Sequence, residues 1–88
     1  MPIWRVEDQE FSRLFASELR RLMAVRHLTA KQLATRLSVS RQALYQYLRL
    51  RTLPSASVLF RAARLGMSIT YRGVSIGATS EKRQKVDE

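Results

Sequence analysis

The chain has 88 residues, which makes one small domain with room for a single helical core but not for a deep catalytic cleft as well, so an enzyme is disfavoured on size. A formal charge of +9, with 13 of the 16 basic residues being Arg, points to a polyanionic partner, and the planar guanidinium fork favours nucleic acid over lipid. The absence of Cys excludes disulfides and thiolate metal sites, and no cofactor or metal is expected.

The opening MPIWRVEDQEF lacks the basic start and long apolar region of a secretory signal, and nowhere do about 18 apolar residues run together. The chain is therefore read as soluble and cytoplasmic, with no membrane partner. Residues 1–10 are expected to be an N-terminal arm in which Trp4 packs onto the first helix.

Phe11, Leu14, Phe15, Leu19, Leu22 and Met23 recur at spacings of three and four, which predicts a first helix with one apolar stripe. Glu7, Asp8 and Glu10 before it and Arg20, Arg21 and Arg26 toward its end suit the helix dipole. His27 follows as a turn residue, with no Cys or second His to share a metal. Thr29 with Gln32 three places on is a capping-box pattern, and Leu33, Ala34 and Leu37 supply the inward face of a second helix. Ser38 and Val39 break that pattern. Ser40 is the natural cap of a third helix, with Leu44, Tyr47 and Leu48 facing inward.

Pro54 and its predecessor make residues 50–54 a loop. Ser55 or Ser57 caps a fourth helix carrying Val58, Leu59, Ala62 and Ala63, which stops at Gly66. The stretch over 68–76 changes to β-prone residues and predicts one strand, with Ile69, Tyr71, Val74 and Ile76 available to pair across a two-fold dimer because no other strand is expected. Residues 77–88 are small, polar and charged, and are expected to be a disordered tail. The predicted organisation is thus an all-α domain over 11–67 with a single C-terminal strand.

The stretch from about Leu19 to Ile69 resembles the lambda-repressor-like helix-turn-helix family of phage repressors, Cro proteins and small bacterial regulators. The elements that carry the likeness are Leu28-Thr29, Leu33-Ala34, the SVSRQAL turn and helix start, Tyr47, Pro54 after a basic loop, and the LFRAARLGMSI close. Where many members have Arg in helix one and Glu late in helix three as a buried ion pair, this chain has Met23 and Leu48, an exchange of both ends that strands no charge. Where the family favours Gly after helix three, the chain has Leu50. The C-terminal end is similar to that of HipB-type antitoxins.

The resemblance implies a compact four- to five-helix DNA-binding domain that acts as a homodimer on double-stranded DNA, most simply as a repressor associated with the nucleoid. Its third helix would enter the major groove, presenting Arg41, Gln42, Ala43, Tyr45 and Gln46 to base edges. Thr29, Lys31, Ser40, Tyr47, Arg49 and Arg51, at helix ends and the following loop, would address phosphates. Arg61, Arg64 and Arg72 would face away from the duplex or toward a partner. The alternative is an antitoxin or adaptor module that binds a toxin protein, with DNA binding secondary. RNA binding is disfavoured because stacking aromatics are few and scattered.

Overall fold

The acidic start and apolar period of the N-terminal region form α1 (Val6–Arg26) in a computed structural model that describes residues 6–77. Helix geometry thus reaches back to Val6, so residues 6–10 of the expected arm are helical, and Trp4 lies outside the described residues. Phe15, Leu19 and Leu22 are buried as the spacing predicts, and Phe11 and Met23 pack against the core. Leu14 differs, being 37% exposed. It lies about 100° around the helix from Phe15, outside the arc covered by the rest of the fold. Ser12 and Ala16, which fall on the arc, are buried in its place.

Thr29 closes a complete capping box ahead of α2 (Ala30–Leu37): its hydroxyl accepts from the Gln32 N–H at 3.1 Å, and the Gln32 side chain accepts the Thr29 N–H at 2.9 Å. Ser40 caps α3 (Arg41–Leu48) by accepting the Ala43 N–H at 3.0 Å. Of the two serines before α4 (Ala56–Arg64), Ser55 is the cap, accepting from Val58 N–H at 3.3 Å. Each cap satisfies an amide that has no partner inside its own helix.

All four helices end in the same way. His27, Ser38, Leu50 and Gly66 take left-handed φ values of 54°, 58°, 61° and 111°. Beyond each, an amide reaches back five residues: Leu28 to Met23 O, Val39 to Ala34 O, Arg51 to Gln46 O and Met67 to Ala62 O, at 2.9 to 3.1 Å. These are Schellman closures, and only the last uses glycine. A side chain in that conformation costs about 1–2 kcal/mol. Three such positions survive here because the core over-determines where each helix stops.

The single strand expected over 68–76 is instead two, β1 (Ser68–Tyr71) and β2 (Val74–Gly77), paired antiparallel with Ile69 opposite Ile76 and Tyr71 opposite Val74. The premise that it lacks a partner within the chain therefore fails. Arg72 and Gly73, both at positive φ (52° and 81°), form the two-residue turn whose twist matches a hairpin. Ile69, Tyr71, Val74 and Ile76 share one face. Ile69 is buried, Tyr71 and Ile76 pack on the core, and only Val74 stays out in solvent at 61% exposed. Of the tail expected over 77–88, Gly77 is described, and it closes β2.

Helix α1 packs against α3 and β1, α2 against α3 and α4, and α4 against β2. The shared centre is Phe15, Leu19, Leu22, Leu33, Leu37, Leu44 and Met67, each 2% exposed or less. Each such side chain contributes about 1.5–3 kcal/mol by leaving water. Their combined effect is to fix α3 from behind, with its other side uncovered by any described residue.

Candidate nucleic-acid interface

Helix α3 divides into two faces. Leu44 and Tyr47 are buried, Leu48 packs on the core, and the Tyr47 ring meets Phe15 edge-on at 5.5 Å between centroids. Arg41, Gln42 and Tyr45 are exposed, and Ala43 and Gln46 half-exposed. The five residues expected to meet base edges are thus brought onto one short helix. Their side chains make no hydrogen bond or ion pair with any other described residue, so all their donors and acceptors remain available.

The basic residues sort by whether they have a partner. Arg21 pairs with Glu18 at 2.8 Å and also donates to Gly66 O, and Arg72 pairs with Glu10 at 3.3 Å. Arg20 donates to Leu48 O and Arg61 to Leu37 O, each at 3.3 Å. The Arg64 guanidinium lies 5.8 Å from the centre of the Phe60 ring. These five sit on α1, α4 and the hairpin. Lys31, Arg36, Arg41, Arg49 and Arg51, on α2, α3 and the loop after it, are exposed and have no side-chain partner among the described residues, as is also true of Arg26 on α1, whereas Arg13 acts on Glu10 through its charge.

Acids sort the opposite way. Glu7, Asp8, Glu10 and Glu18 all lie on α1, and none occurs between Glu18 and Glu81. Hydrogen bonds from Tyr71 and Arg72 hold the Glu10 carboxyl below its ordinary pKa, and those from Arg21 and the Ser68 amide do the same for Glu18. Negative charge is committed to the α1–hairpin side. The α2–α3 side presents an uncompensated positive field, which draws polyanions.

The residues expected to hold phosphates stand differently from one another. Lys31, Arg49 and Arg51 are exposed. The Thr29 and Ser40 hydroxyls already accept a helix amide, but each O–H remains able to donate. Tyr47 is 8% exposed, and burial pushes its phenol pKa up, which keeps it a neutral donor. Arg36, exposed in the last turn of α2 and outside the expected phosphate set, shares this face's lack of acids. Its only sequence signal was charge.

The residues expected to pair across a dimer, Ile69, Tyr71, Val74 and Ile76, are engaged within the chain, through the hairpin. The Tyr71 hydroxyl donates to Glu10 and accepts from Arg72 at 2.9 Å, tying the hairpin tip to the start of α1. Among the described residues no helix is long and apolar enough to cross a membrane.

Comparison with known proteins agrees with the capped helix pair. A family model described as a helix-turn-helix domain matches residues 14–68, more than half of the chain. No curated protein and no solved structure matches it.

Proposed function

The chain belongs to the helix-turn-helix domain family, and on that premise we propose that it is a sequence-specific regulator of transcription, a repressor of the lambda-repressor-like type, which inserts α3 into the major groove of double-stranded DNA. The observation that carries this reading is the face of α3 bearing Arg41, Gln42, Tyr45 and Gln46, without partners among the described residues and in a neighbourhood free of acids.

Arg41 suits the O6 and N7 of guanine, Gln42 and Gln46 suit the N6 and N7 of adenine, and Ala43 admits close approach or touches a thymine methyl. Tyr45, 41% exposed, offers a ring edge and a hydroxyl. Lys31, Arg49 and Arg51, with the Thr29, Ser40 and Tyr47 hydroxyls, fix register on phosphates. Two copies act together. Among the described residues strand β2 pairs only with β1, and its other edge would pair with a second copy.

Selection of bound sequences from random duplex DNA at stated salt tests the proposal. An inverted repeat with half-sites about 34 Å apart is the expected result. A folded chain that enriches nothing overturns it. Weight then passes to the second reading, an antitoxin or adaptor module, which is favoured by Phe60 and Val74 standing 62% and 61% exposed.

A further inference from the structure

Leu37 is the last residue of α2 and is fully buried, and its carbonyl, like every carbonyl at a helix end, has no partner within the helix. Its partner comes from α4: Nη1 of Arg61 donates to it at 3.3 Å, across 24 residues of chain. Arg61 is half-buried, and its bond to Leu37 O is partly shielded from water. It also brings positive charge to the negative end of α2.

The chain turns sharply just beyond this bond. Ser38 is left-handed, Val39 reaches back to Ala34 O, and Ser40 starts α3. The direction in which α3 leaves is therefore set within three residues of Leu37. We infer that Arg61 is a positioning residue, a strut from α4 that fixes the tilt of α3 and thereby the aim of Arg41, Gln42 and Gln46. Arg20 makes a similar bond to Leu48 O at the far end of α3, but it is exposed and acts on the last residue of the helix rather than on the turn from which the helix departs.

This role rests on the DNA-reading proposal, and it separates two kinds of contact. Base-edge bonds need the helix aligned to a fraction of an ångström, whereas long Arg and Lys side chains follow a phosphate through small tilts. Loss of the strut should therefore lower selectivity and spare non-specific affinity.

The test compares wild type, Arg61→Met and Arg61→Lys on the selected duplex and on random duplex, at several matched salt concentrations and well below each melting temperature. Arg61→Met is expected to lower the ratio of specific to non-specific affinity by about tenfold, as loss of one good base contact does, with binding to random duplex unchanged. Arg61→Lys should recover most of the ratio, since an ammonium can also donate to Leu37 O. If Arg61→Met does not fold, Arg61→Gln, whose amide nitrogen ends two bonds short of the position of Nη1, is read in the same way. Equal loss on both duplexes with a shallower salt dependence would make Arg61 a phosphate contact and overturn the role. A lower melting temperature with an unchanged ratio would make it a packing residue only, and would overturn it equally. Failure of wild type to select any duplex brings down the underlying reading instead, and is seen before any variant is made.

Discussion

The Glu18 carboxylate accepts the backbone N–H of Ser68 at 3.0 Å, joining α1 to the start of the hairpin across 50 residues of chain. Arg21 completes the joint, pairing with Glu18 at 2.8 Å and donating to Gly66 O at 2.9 Å. The one acid in an otherwise basic stretch is thus the fastening of the α4–β1 corner. Glu18→Gln should lower stability by about 1–2 kcal/mol at neutral pH, toward the low end of the roughly 1.5–3 kcal/mol for hydrogen bonds to a charged group, because the Gln oxygen still accepts the Ser68 amide. Arg21 first, and then the Ser68 amide, hold the folded pKa of Glu18 below its ordinary value of 4.5. The contribution is therefore full above the unfolded value and is lost as pH falls through the folded one. Urea unfolding of both proteins should show a gap at pH 7 that closes in acid. A gap that persists unchanged at low pH would refute the charge-based account.

The helix ends supply a prediction of the opposite sign. Ser38 and Leu50 hold left-handed φ values of 58° and 61°, where glycine carries no steric penalty. Ser38 is exposed, so Ser38→Gly gives up little packing and should raise stability by about 0.5–1 kcal/mol, after allowing for the extra freedom of glycine in the unfolded chain. For a domain of this size that is a rise of roughly 2–8 °C in Tm. Leu50→Gly should gain less, because Leu50 is half-buried. Differential scanning calorimetry reads both, and a fall in Tm for Ser38→Gly would show that its side chain is needed at the turn.

How far these features were legible in the sequence depended on whether their cause was local. Thr29 with Gln32, Ser40, Ser55 and Gly66 act on amides and carbonyls a few residues away, and these helix starts and stops follow from residue type. The inward places of Ser12 and Ala16 do not, because they depend on where α3 and the hairpin lie across α1. The hairpin was missed for a different reason. Its turn is Arg72-Gly73, and an Arg at the first left-handed position hides the usual Asn-Gly or Asp-Gly signature. Leu50, where the resembled family favours glycine, takes a left-handed φ of 61° with its side chain half-buried. The Arg61 strut left no local trace at all, since its acceptor is a backbone carbonyl 24 residues away.

Gly77 offers a direct test of the hairpin. Its φ is 124°, and a Cβ there would come 1.9 Å from Met67 O and 2.7 Å from the Ser68 Cα, both backbone atoms that cannot rotate aside. Gly77→Ala should break the pairing of Ser68 with Gly77 and cost more than 1 kcal/mol, whereas Gly73→Ala, with open space but a φ of 81°, should cost about 1 kcal/mol and keep the register. Cross-strand nuclear Overhauser contacts between Thr70 and Ser75 distinguish the two. If Gly77→Ala keeps both stability and contacts, β2 does not close against Met67 in this way.

Arg41 and Arg51 are both exposed and unpaired among the described residues, yet they should fail in different ways. Arg41 begins α3, where a groove-bound helix meets base edges, and Arg51 lies in the loop beyond its C-terminus. Arg41→Ala should cost about 1–3 kcal/mol on the selected duplex and relax the preference at one base pair. Arg51→Ala should weaken binding alike on selected and random duplexes, and should flatten the dependence of log K on log salt by about 0.9, the share of one phosphate. The salt slope separates the two cases because only a phosphate contact releases a condensed counterion. Isothermal titration at several salt concentrations measures both quantities. If the two variants show the same slope and the same loss on every sequence, α3 acts only as a charged surface, and the base-reading roles of Gln42 and Gln46 fall with that of Arg41.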